Sequence, residues 1–195
     1  PLTAFIQAAG TGIGMGGAVM FAIHNGSGDY SRSRKFFGIS LLLLALSGFL
    51  FTLFFLGSGE RILRMFGAEG DILRLGAEYF RYIAFGTLFQ VMATGIVPFI
   101  RNMGSPVTAM FAMTGGFLTN ILLDYILVWV LPYGMTGAAV ATVIGQAVTL
   151  AVCLIFLIRK RELPSLSFDK ETLHMAGKVL FVAISPFGLT FSPNI

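Results

Sequence analysis

Residues Phe36 to Leu56 contain no charged side chain, and Val107 to Val130 contain only one, Asp124. A helix rises 1.5 Å per residue, so about 20 apolar residues cross the hydrocarbon core of a bilayer. Runs of that length constrain a fold more than any motif does, because hydrocarbon leaves no water for unpaired backbone groups. They are continuous rather than alternating, which predicts helices and not barrel strands. Hydropathy places five full spans at about 3–23, 36–56, 79–100, 107–130 and 136–158, with a sixth, truncated one at 177–195. The predicted fold class is an all-α, polytopic membrane helix bundle. Charged residues make up 11% of the chain, against about 25% in a soluble domain, so no soluble core accounts for it. Pro1 in place of an initiator Met, and a last residue inside an apolar segment, lead us to expect a piece of a longer chain.

The net charge of +4 does not point to nucleic acid, since the basic residues fall at span ends. Alternate connections hold Arg32, Arg34 and Lys35, then Arg101, then Arg159, Lys160, Arg161, Lys170 and Lys178; these are expected on the cytoplasmic side. On the opposite side, the interval 57–81 balances Arg61, Arg64, Arg74 and Arg81 with four acids. Its apolar spacing reads as short amphipathic helices lying at the interface. The lone Cys153 excludes an intrachain disulfide and any cysteine cluster. His24 and His174 both lie outside the spans, and no Ser-His-acid grouping shares one membrane level, so no enzyme is expected and no cofactor.

Gly12-Ile13-Gly14-Met15-Gly16-Gly17 formally matches a dinucleotide fingerprint, but no strand precedes it. The spacings Gly10/Gly14 and Gly12/Gly16 instead form small-residue faces that let membrane helices approach closely. Gln7 on this span, Gln90 on the third and Gln146 on the fifth are the polar candidates for a substrate cavity; for Gln7 and its neighbour Thr11, one turn on, interhelical hydrogen bonding is the alternative. Pro98 removes a backbone donor and is expected to kink the end of the third span.

Asp124 carries the chemistry. An aspartate at mid-bilayer costs roughly 2.5–3.5 kcal/mol on insertion scales, and it therefore needs a partner, a cavity or a function. Asn120 lies one helical turn before it on the same face. Asp124 and Thr142 each lie seven residues from the five-residue turn Leu131–Met135, about 10 Å inside the outer end, and Asn120 and Gln146 are matched four residues deeper. Carboxylate, amide and hydroxyl oxygens suit Na⁺, and the carboxylate alone can carry a proton. The structural alternative is a hydrogen-bond cluster that locks the hairpin.

Three motifs on this hairpin, Arg101-Asn102-Met103-Gly104-Ser105-Pro106, Asn120-Ile121-Leu122-Leu123-Asp124-Tyr125 and Leu131-Pro132-Tyr133-Gly134-Met135-Thr136-Gly137-Ala138-Ala139-Val140-Ala141-Thr142, resemble the multidrug and toxic compound extrusion (MATE) transporters. The resemblance extends over nearly the whole chain, from the family's second span to the start of its seventh. It implies an incomplete N-terminal lobe of a two-lobe, twelve-helix transporter. Residues 1–158 would be helices of that lobe, 159–176 a cytoplasmic inter-lobe linker, and 177–195 the first span of the second lobe. It further implies, for the full-length parent, a plasma-membrane antiporter coupled to Na⁺ or H⁺ that exports amphiphilic or cationic drugs as a monomer. By residue-for-residue match, Asn120, Asp124 and Thr142 would form the cation site, together with a first-helix aspartate that this chain does not contain. Two alternatives stand beside it. One is a lipid-linked oligosaccharide flippase of the same superfamily, disfavoured because no span interior holds Lys or Arg. The other is a non-transporting membrane scaffold or inert fragment.

Overall fold

The computed structural model describes residues 2–65, 67–161, 164–165 and 170–192. Among the described residues six α-helices follow one another: α1 (Leu2–Gly26), α2 (Tyr30–Met65), α3 (Gly70–Asn102), α4 (Pro106–Asp124), α5 (Gly134–Lys160) and α6 (Lys170–Phe191). A π-helical segment, Tyr125–Val130, continues α4 without a break. Six segments are long and apolar enough to cross a membrane, the fourth being α4 with its π-helical extension.

The interior is built by α1 and α3. Each has 61% of its most apolar window buried, against 11% for the α4 span, most of whose surface is therefore left uncovered by the other described helices. Glycines on α1 make this close packing possible. A side chain at Gly14 would lie 2.5 Å from the Cα of Gly95 on α3, and Thr94 Oγ1 rests against Gly10. The other small face turns to α6, where a side chain at Gly16 would meet the carbonyl of Val179 at 2.6 Å. The two spacings seen in the sequence thus serve two different neighbours. Around them lie Phe21, Phe37 and Phe99, whose rings meet in edge and tilted contacts.

Two expectations need correction. The interval 57–81 does not form short helices on the bilayer surface. It is the polar end of α2 and the start of α3, which are 36 and 33 residues long and joined by a short turn. At 1.5 Å per residue both reach about 50 Å, well past the roughly 30 Å hydrocarbon core. Part of the apolar surface of the interval faces the partner helix instead: Ile62 and Phe80 pack on the cluster containing Phe55 and Ala84, while Met65 and Ile72 stay exposed. Intrahelical pairs, Arg64–Glu60 at 2.8 Å and Arg74–Asp71 at 3.6 Å, occupy the outer surface.

The second correction concerns α6, which begins at Lys170 rather than near Gly177. Its polar first turns read as linker, yet Met175 is buried with Phe36 and Ile39, and Glu171 meets Lys35 at 3.2 Å and Arg32 at 3.6 Å. Residues 162–163 and 166–169 of the expected linker, and 193–195 of the expected span, lie outside the described residues. The backbone N–H of Ser165 donates to the carbonyl of Arg34 at 3.2 Å, so the expected cytoplasmic connections gather at one end of the bundle.

Candidate functional site

A cavity of about 630 Å³ opens between α1, α3, α4 and α5. Each helix contributes one stripe at helical spacing: Gln7, Thr11 and Met15 from α1; Thr94, Pro98 and Arg101 from α3; Met113, Gly116, Phe117 and Asn120 from α4; Thr142, Gly145, Gln146 and Thr149 from α5. The helix α3 runs on through Pro98, so the proline leaves the Thr94 carbonyl without its usual intrahelical donor while the helix continues to Asn102. That carbonyl belongs to a residue of the cavity wall.

Glycines set the α4–α5 approach. A side chain at Gly145 would lie 2.8 Å from the Gly116 carbonyl and 3.0 Å from Cβ of Asn120, and one at Gly137 would lie 2.9 Å from the Leu127 carbonyl. Asn120 therefore stands opposite Gly145 and Leu127 opposite Gly137. Between these two contacts, the intervening Asp124 falls at about the level of Val140 and Ala141, and Asn120 at that of Gly145.

Among the described residues, two buried side-chain polar atoms lack a hydrogen-bond partner: Asn120 Nδ2 and Asp124 Oδ1. A buried polar atom left unpaired costs about 1–3 kcal/mol, and native chains keep few of them. Here both occur one turn apart on α4. Thr142 Oγ1 donates to the Ala138 carbonyl at 3.0 Å, so its proton is engaged and its oxygen lone pairs remain. Immediately after Asp124 the helix widens. The N–H of Leu131 donates to the Ile126 carbonyl at 2.8 Å, five residues back, which closes the π-helical turn. Such turns insert one residue into an α-helix and recur at functional positions.

The structure gathers Gln7, Asn120, Thr142 and Gln146 on one cavity wall system. Asp124 continues the α4 stripe one turn beyond the lining, next to Asn120 rather than in the open space. Gln90 is not among the lining residues; its backbone carbonyl accepts from Thr94 Oγ1 at 2.8 Å. Sequence reasoning missed Arg101, Met113 and Phe117 as lining residues. The signal was available: Arg101 lies three residues beyond Pro98 and seven beyond Thr94, on the same helical face. The donor set is one carboxylate with neutral oxygens close by. It can hold a monovalent cation or a proton, and it falls short of the several carboxylates that divalent sites draw on.

Known proteins share this architecture. The MatE family model matches residues 1–126. The multidrug export protein MepA of Staphylococcus saprophyticus is 26% identical over 192 residues, covering 96% of this chain and 42% of that protein. The MepA of Staphylococcus haemolyticus is 27% identical over 191 residues, with the same coverage of each. Among solved structures, a MATE protein in the bent conformation superposes with a TM-score of 0.87 at 27% identity, over 100% of this chain and 45% of that one. A MATE family transporter of the MOP superfamily gives 0.84 inward-facing and 0.86 outward-facing, each at 27% identity and covering 45% of that chain, with 98% and 100% of this chain aligned. This chain spans less than half the length of the curated relatives it matches.

Proposed function

This chain belongs to the MatE family, and from that premise we propose that it supplies the cation-binding lobe of a membrane antiporter that exports amphiphilic drugs. The relatives named as multidrug export proteins support the export half of this reading. The observation that carries the coupling half is the pair of unpartnered buried atoms, Asn120 Nδ2 and Asp124 Oδ1, at the mouth of a π-helical turn.

The chemistry follows from the donors. Na⁺ or H⁺ entering from the outer side neutralises Asp124. A half-turn of the Asn120 amide exchanges its nitrogen for its oxygen, which then faces the cation. Thr142 adds oxygen lone pairs because its proton is held by Ala138. Neutralisation removes the cost of a charged, buried carboxylate at this depth, so the α4 segment and its π-helical extension settle into a different packing and drug is released outward. One charge crossing 100 mV supplies about 2.3 kcal/mol, roughly a fifty-fold gradient. The near-equal likeness to the inward-facing and outward-facing transporter supports a lobe that moves largely as one body.

The test is Asp124→Asn in the full-length transporter, assayed in vesicles with an imposed Na⁺ gradient and, separately, an imposed pH gradient. Coupled export is expected to disappear while the protein still reaches the membrane. Efflux equal to wild type under both gradients rejects the reading, and the gradient that drives wild type identifies the ion.

A further inference from the structure

The cavity wall is neutral except at one end. Arg101 is the one charged side chain among the described residues that line it, and no aspartate or glutamate does. Its Nη2 donates to Met113 Sδ at 3.4 Å, a weak acceptor, and it takes part in none of the ion pairs among the described residues. The neighbouring Asn102 has its Nδ2 committed to the Ala18 carbonyl at 2.8 Å. Among the described residues, bases outnumber acids at this end of the bundle. The helix ends there also carry Arg34, Arg159, Lys160 and Arg161, while Asp29 and Glu171 are engaged by Arg32 and Lys35. Like charges around a low-dielectric opening concentrate ions of the opposite sign and repel their own. A guanidinium with free N–H donors matches the oxygens of a carboxylate, sulfonate or phosphate. From Arg101 inward, Met15, Met113 and Phe117 offer an apolar bed.

We propose that the compounds admitted at this end are amphiphiles with an anionic head group, anchored by Arg101 at the cavity mouth while the apolar tail lies on Met15, Met113 and Phe117. This rests on the export reading above and names the class of compound it moves.

The test uses the full-length transporter in phosphatidylcholine vesicles with two fluorescent probes of equal tail, a dansylated undecanoate and its amine counterpart. The carboxylate is expected to bind saturably. Arg101→Gln should weaken it about tenfold or more, as loss of a charge-assisted contact does, while Arg101→Lys keeps most of the affinity. The amine should bind no worse to Arg101→Gln than to wild type. Should Arg101→Gln fail to fold, a salt titration of wild type serves instead, weakening the carboxylate and not the amine. Equal carboxylate affinity in wild type and folded Arg101→Gln overturns the proposal, as does wild-type preference for the amine. Adding phosphatidylglycerol separates the two sources of head group: competition identifies bilayer lipid and no competition a soluble amphiphile, and either places an anion at Arg101. Coupled export of a neutral amphiphile is followed in parallel. Its persistence alongside a failed anion preference rejects this inference alone, and its absence alongside intact anion binding rejects the export reading alone.

Discussion

Two adjacent glycines on α4 separate packing from propensity. A Cβ at Gly116 would overlap Thr149 Oγ1 and lie 2.6 Å from the Gly145 carbonyl, whereas one at Gly115 meets nothing within 4 Å. Gly116→Ala is therefore expected to destabilise by about 1–3 kcal/mol through overpacking. Gly115→Ala should leave stability unchanged or raise it by up to about 1 kcal/mol, since alanine is the better helix former. Thermal unfolding in detergent measures both. Adding Thr149→Ala to Gly116→Ala should recover only part of the loss, because the carbonyl stays in place. The glutamines divide in the same manner. Gln146→Ala should raise the apparent KM for an exported compound several-fold, and Gln90→Ala should not, because Gln146 lines the cavity and Gln90 does not.

At the scale of the element, α4 is two kinds of helix in series. Its α-helical part carries the stripe from Met113 to Asp124, and its π-helical part, Tyr125–Val130, is tied off by the Tyr133 N–H donating to the Leu127 carbonyl at 3.1 Å. A π-helical turn is an α-helix with one residue too many. Deleting Val128 removes that residue and is expected to restore α-geometry, leave helix content by circular dichroism unchanged, and reduce coupled efflux to a small fraction of wild type. Full coupling in the deletion variant would show that the wide turn after Asp124 is not needed. The long α2–α3 hairpin shows the opposite economy: a polar stretch that hydropathy assigns to the interface continues as helix, with Ile62 and Phe80 packed on the Phe55 and Ala84 cluster.

For the whole molecule, the two ends differ in charge, and that difference predicts orientation. Ser27→Cys, in the first basic turn, should react with an impermeant maleimide only from the cytoplasm, and Tyr133→Cys only from outside. Cys153 is 0% exposed and should stay silent as background. Labelling of both from one side would overturn the assignment. The Glu171 cluster joins α6 to the start of α2 across this end, but its side chains are substantially exposed. Glu171→Gln should cost no more than about 1 kcal/mol, a shift in unfolding midpoint that high salt reproduces in wild type.

The number of helices, the family resemblance, and the expense of Asp124 were legible in the chain because each is a local sum: hydropathy over a window, a motif over a hairpin, one charge against its neighbours. The approximate level of α4 residues against α5 residues was legible as well, since the rise per residue is nearly constant. Azimuth was not. Which face of each helix turns inward depends on how closely the backbones approach, and here Gly14 against Gly95 and Gly116 against Gly145 set that distance. Only the packed helices put Arg101 at a cavity mouth, left Gln90 off the wall, and turned the stretch after Asp124 into a π-helix. Their reason is common: an atom's solvation and partners are properties of the neighbouring helices, and those are chosen by tertiary contact rather than by the residues' own order.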